Sequence, residues 1–153
     1  MMVDDERPGR GTPHPDHPGW LTWSFEHYES FNAALGTVLV RSEEPGLARC
    51  RMFPTEKHRN LANALHGGAI LAYLDIVLFA GVSAMGLDMG RGSVTLDVST
   101  AFIGAGRLGI PLDSSVELLR ETGRLVFLRG IMDQEGATVA SWTATLRKGK
   151  RAA

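Results

Sequence analysis

The chain has 153 residues, the size of one domain able to bury a real core. Its 16 Lys and Arg residues face 17 Asp and Glu residues, and a net charge of -1 argues against nucleic-acid binding driven by phosphate neutralisation. One cysteine, Cys50, excludes an intrachain disulfide and fits a reducing cytoplasm.

Residues 1–19 read as a disordered or loosely attached arm. Pro8, Pro13, Pro15 and Pro18 fall here among charged residues. No apolar run follows them, so the pattern is not that of a signal peptide. His14 and His17 sit in this Pro-rich stretch without a rigid frame, so no metal site is expected. Residues 20–149 read as the folded domain and residues 150–153 as a basic tail.

Phe25, Tyr28, Phe31 and Leu35 have helical spacing, which predicts a helix over 24–35 stopped by Gly36. Two strands are expected at 37–41 and 47–53, with Pro45-Gly46 in the turn between them. Ala48, Cys50 and Met52 alternate with Arg49 and Arg51, so one face is buried and the other wet.

Residues 67–87 hold a single charge, Asp75, and no proline. They predict a long helix buried on most sides. A membrane span is the rival reading, because the run is long enough. Asp75 near its middle would cost about 2.5–3.5 kcal/mol there, and six amphipathic strands surround the run, so no membrane partner is expected.

Strands follow at 93–103, 114–121, 124–133 and 137–147. Val94, Leu96, Val98 and Phe102 share one parity, and Thr95, Asp97 and Ser99 the other. Thr122-Gly123 and Gln134-Glu135-Gly136 supply turns. One apolar helix with an antiparallel sheet is an α+β layout in which the sheet wraps the helix.

His66-Gly67-Gly68 falls where the helix starts. The first turn offers N–H groups without internal partners at the positive end of the dipole. Two glycines allow close approach, which suits a carbonyl oxygen gaining negative charge. A plain Gly-rich helix entry reads the same way. Asp75 lies nine residues after His66. A carboxylate there is either a base whose pKa burial raises, or a structural group bonded to a neighbour or an interface.

Asn60, His66-Gly67-Gly68 and Asp75 at these spacings resemble the hotdog-fold thioesterases of the phenylacetate-pathway, PaaI-type group, within the 4-hydroxybenzoyl-CoA thioesterase superfamily. Val94 to Val98 and Gly123-Arg124 add weaker matches. The resemblance implies a helix wrapped by an antiparallel sheet, dimers that join their sheets, often a dimer of dimers, and acyl-CoA substrates without a cofactor. It implies that Asp75 is general base or nucleophile and that the Gly67 N–H, with Gly68, polarises the thioester carbonyl. Asn60 would orient the water or the carbonyl. His66 would shape the turn. Thr95 would place water or Asp75. The Asp would face the Gly-Gly turn of a partner subunit, so the site lies at the interface. Two positions depart from the family pattern: Asn63 stands for the usual Gly, and Thr95 for Ser.

His58, Arg107, Arg124 and the basic tail are candidates for coenzyme A phosphates. Cys50 alternates inward as an inert thiol. The alternatives are a hotdog module that senses acyl-CoA without cleaving it, and a hotdog hydratase or dehydratase. The latter usually presents a catalytic His acting with a carboxylate.

Overall fold

The computed structural model describes residues 11–24 and 30–151. The eight strands are β1 (Thr12–Pro13), β2 (Leu21–Ser24), β3 (Val38–Ser42), β4 (Leu47–Met52), β5 (Val94–Phe102), β6 (Leu112–Glu121), β7 (Leu125–Gln134) and β8 (Ala137–Arg147). One helix, α1 (Gly67–Ala84), separates β4 from β5. All strands join one sheet in the order β1-β2-β3-β4-β6-β7-β8-β5, and every pairing is antiparallel. The fold class is the expected one: a sheet around a single helix, the hotdog arrangement.

Period-two alternation decides which face holds the core. Ala48, Cys50 and Met52 of β4 and Val126, Leu128 and Met132 of β7 are buried against the helix residues Ile70, Tyr73, Leu74, Val77 and Leu78. Tyr73 donates its buried hydroxyl to the Leu112 carbonyl at 3.2 Å. Gly81 lets helix and sheet approach closely: an added Cβ there would lie 2.7 Å from Val116. By length and mean hydropathy, 1.8, α1 could cross a membrane, and half of it is buried within this one chain.

The helix ends earlier than its apolar run. Gly86 takes φ 76°, its N–H bonds the Ser83 carbonyl, and the Leu87 N–H bonds the Val82 carbonyl. This is the Schellman stop, in which glycine accepts the left-handed conformation. The β7–β8 hairpin turns in two residues, Glu135 at φ 49° and Gly136 at φ 82°, the positive-φ geometry that matches strand twist.

The N-terminal segment differs from expectation. Residues 11–19 fold back: β1 pairs β2, and β2 pairs β3. Trp20 is buried, and the guanidiniums of Arg41 and Arg51 lie over its ring at 4.4 and 4.7 Å from the centre. Such cation–aromatic contacts anchor the segment. Arg51 in turn makes a two-pronged pair with Asp113 at 2.6 and 2.8 Å, which raises the pKa of Arg51. The helix expected over 24–35 is a 3-10 turn, Phe31–Leu35, in its described part; 25–29 lie outside the described residues. Gly36 ends the turn at φ 66°. The basic end is also tied down: Lys150 and Arg91 exchange backbone hydrogen bonds at 2.8 Å.

Candidate active site

Five hydrogen bonds shape the entry to α1. Asn60 folds the loop on itself: its Oδ1 accepts from the Ala62 and Ala64 N–H groups at 2.8 and 3.0 Å. The carbonyl end of Asn60 is therefore spent inside the loop, where an orienting role toward substrate had been expected. Asn63 takes φ 59°, the conformation for which Asn is the best substitute for Gly. Its Oδ1 accepts from Arg59 at 2.8 Å. The Leu65 N–H bonds the Gly106 carbonyl and the His66 N–H the His58 carbonyl, both at 2.8 Å.

His66 is the N-cap of α1. Its Nδ1 accepts from the Gly68 N–H at 2.8 Å, which fixes the ring proton on Nε2. The Gly68 donor is thereby occupied by the cap. The Gly67 N–H has no partner among the described residues. One free donor thus stands at the positive end of an 18-residue helix.

Asp75 is exposed in the single chain, on the same side of α1 as Gly68 and Leu71, rather than buried as its apolar surroundings imply. Its Oδ1 accepts from the Thr95 hydroxyl at 3.0 Å. That contact depends on a β-bulge. Thr95 pairs with Leu146 and Asp97 with Thr145, so Leu96 is the extra residue. The bulge reverses the parity read from sequence. Thr95 shares the helix side with Val98, Thr100 and Phe102, whereas Asp97 and Ser99 point away.

These residues enclose an open hollow of about 410 Å³ lined by Leu71, Leu74, Asp75, Val98, Thr100 and Phe102. One carboxylate lies in a mostly apolar wall. The Thr100 hydroxyl is buried without a hydrogen-bond partner among the described residues. The lining was missed in the sequence, although Leu71 precedes Asp75 by one helical turn. Phe102 also approaches Gly67, where an added Cβ would lie 3.5 Å from its ring.

Gly67 and Asp75 stand eight residues apart on one helix, roughly 12 Å along its axis. A single reacting carbonyl cannot contact both. Edge strand β5 is unpaired on its outer side and exposes Leu96, Phe102 and the following Ile103 by 52, 55 and 58%.

The remaining candidates separate. His58 is buried: Nδ1 accepts from the Thr55 N–H at 2.9 Å, and Nε2 donates to the Ala34 carbonyl at 2.7 Å. Both nitrogens are committed to the scaffold. Arg107 pairs with Glu135 at 3.2 Å at the β7–β8 turn. Arg124 lies at the other end of the sheet, beside Arg91, Arg147 and Lys150. Cys50 is fully buried; burial, with a smaller effect of the Asp113 charge, pushes its thiol far up.

The site thus holds a carboxylate bonded to a threonine hydroxyl on one stretch of the helix and one free N–H at the helix N-terminus. The family model for the thioesterase superfamily matches residues 62–141, just over half of the chain, and the chain belongs to that family. A search of curated proteins found no match. Among solved structures, zebra fish thioesterase superfamily member 2 is 25% identical, with a TM-score of 0.68 over 80% of this chain and 89% of that one. A hypothetical thioesterase from Streptococcus pneumoniae TIGR4, solved with coenzyme A, is 21% identical, with a TM-score of 0.69 over 83% and 97%. The E. coli PaaI protein from the phenylacetic acid degradation operon is 18% identical, with a TM-score of 0.64 over 72% and 82%. At these last two identities the likeness shows the fold alone.

Proposed function

We propose that the protein hydrolyses an acyl-CoA thioester to a free acid and coenzyme A. The observation that carries this reading is the Asp75–Thr95 pair on the wall of an apolar hollow. The hollow suits an aliphatic or aryl acyl group, and the carboxylate is its single titrating group.

Asp75 either takes a proton from water as it attacks the thioester carbon, or attacks that carbon itself. The carbonyl oxygen becomes an oxyanion, which the free Gly67 N–H stabilises at the helix N-terminus. The C–S bond then breaks and the coenzyme A thiolate leaves; where Asp75 is the nucleophile, water then cleaves the acyl–Asp75 anhydride, releasing the acid and restoring the carboxylate. As a good leaving group it needs no strong general acid, consistent with a His66 ring committed to the Gly68 N–H.

The 12 Å between Gly67 and Asp75 calls for two copies of the chain, in a homodimer or a homotetramer built from such dimers. Edge strand β5 is the surface through which they would join, bringing the Gly67 of one subunit to the Asp75 of the other. The free thiol of the buried Cys50 suits a cytoplasmic setting.

The test is thiol release from short, medium, long and aryl acyl-CoAs, with wild type beside Asp75→Asn. Release that depends on Asp75 is expected. Tight binding of some acyl-CoAs with no release from any would replace the enzyme by a sensor. Hydration of an enoyl-CoA without thiol release would replace hydrolysis by hydratase chemistry.

A further inference from the structure

Between Pro54 and Leu65 the chain carries one buried side chain, His58, while Leu61 and most of its neighbours are exposed. An apolar residue would anchor this loop by burial alone, and burial fixes no direction. His58 instead commits both ring nitrogens to backbone groups. Nδ1 accepts from the Thr55 N–H at 2.9 Å, and Nε2 donates to the Ala34 carbonyl at 2.7 Å. Ala34 belongs to the 3-10 turn Phe31–Leu35, which Leu35 roots in the core. Two directional bonds thus set the place of the ring and its rotation.

The same residue closes the base of the loop that leads into α1. The His58 carbonyl accepts the His66 N–H at 2.8 Å, and Arg59 and Leu65 beside them form an antiparallel bridge. His66 then caps α1 through the Gly68 N–H, and its carbonyl accepts from the Ala69 and Ile70 N–H groups. The peptide plane between His66 and Gly67 is therefore held through His66, and that plane carries the free Gly67 N–H. The bonds from Ala34 to His58, from His58 to His66 and from His66 to Gly68 are 2.7, 2.8 and 2.8 Å long. They form one unbroken series from the core turn to the helix entry.

Aim matters at such a donor. It stabilises an oxyanion only when it stands at hydrogen-bond distance from where the charge develops. A misplacement of about 1 Å can cost ~100-fold in rate. We propose that His58 is a positioning residue for the hydrolysis: it holds the His66 turn, and through it the Gly67 N–H, in the aim that the thioester oxyanion needs. Buried and with both nitrogens engaged, it acts through His66 and not on the substrate. The inference rests on the thioesterase reading above.

The experiment uses two variants that each keep half of the anchor, so that loss of folding in one leaves the other. His58→Asn keeps an acceptor near the Nδ1 position and gives up the Ala34 bond. His58→Gln keeps a donor near the Nε2 position and gives up the Thr55 bond. Val126→Ala, a core change in β7, supplies a chain of lowered stability for comparison. In both His58 variants kcat should fall about 10–100-fold with KM little changed, because the loss falls on the transition state. Val126→Ala should lower Tm and leave kcat as in wild type. Hydrogen exchange of single amides, read by NMR, needs no substrate. The His66 and Gly68 N–H groups should exchange faster in both His58 variants than in Val126→Ala. A wild-type kcat in a folded His58 variant overturns the proposal, as does a fall that Val126→Ala matches. A lower kcat with unchanged exchange at His66 and Gly68 also overturns it, since the effect would then bypass the turn. If wild type releases no thiol from any acyl-CoA, the thioesterase reading falls, and the exchange rates still decide whether His58 holds the turn.

Discussion

The Thr95 hydroxyl donates to Asp75 Oδ1 at 3.0 Å, joining the free edge strand to the exposed side of the core helix. Among the described residues it is the one hydrogen bond that the carboxylate accepts. Asp75→Asn keeps the shape and removes the base or nucleophile, so kcat should fall by ~10²–10⁴. Thr95→Val should cost less, about tenfold, the worth of one hydrogen bond to a charged group, and Thr95→Ser should recover most of it. Thiol-release kinetics check all three. An unchanged rate in Asp75→Asn with an intact oligomer would remove Asp75 from the chemistry.

The order of elements from β3 onward, the long helix and the Asn63 turn were legible because local rules decide them. Apolar periodicity marks a helix, and only Gly or Asn sits easily at φ 59°. Four features were not legible. Side-chain parity in β5 was misread because one extra residue, Leu96, shifts the register, and a bulge leaves no compositional mark. The exposure of Asp75 was hidden because its stripe on α1 is as apolar as the buried stripes. The loop use of Asn60 and His58 depends on backbone groups whose positions only the fold supplies. In the N-terminal segment, prolines and charges outweighed Trp20, yet Trp20 carries the anchoring contact.

His66 has a structural and a chemical consequence that separate by substitution. Its Nδ1 caps α1 through the Gly68 N–H. His66→Ala should lose about 0.5–2 kcal/mol of stability, the usual worth of an N-cap, seen as a lower Tm. It should also release the Gly68 donor and blur the carbonyl site. His66→Asn restores a capping oxygen, so it should recover both stability and rate. Recovery of Tm without recovery of rate would give His66 a direct chemical role.

Cys50 should resist alkylation. It is fully buried, and burial first, then the Asp113 charge, raises its pKa far above the ordinary thiol value. Native protein should show no reactive thiol at pH 8, and unfolded protein one. The sign of the pH effect follows. The folded state holds the proton more tightly, so this contribution to stability is complete below about 8.5, the ordinary thiol pKa, and declines as pH rises beyond it. Tyr73, likewise raised by burial, adds to the same alkaline loss. Urea midpoints at pH 7 and pH 10 measure it.

Whether the site is shared between subunits can be settled with two inactive chains. Asp75→Asn removes the carboxylate. Gly67→Pro removes the free N–H while respecting the local backbone. Proline is welcome at the first helical position, His66 has the extended φ and ψ, -65° and 132°, that proline demands of its predecessor, and a Cβ at Gly67 makes only ordinary contact with Phe102. Each homodimer should be nearly inactive. In a dimer of one Asp75→Asn chain and one Gly67→Pro chain, one interface site loses both groups and the other keeps both. Heterodimers isolated through two different affinity tags should therefore regain roughly half of the wild-type rate, as two-fold symmetry requires. If Gly67 and Asp75 of the same chain acted together, every site in the heterodimer would carry one lesion, and mixing would restore nothing.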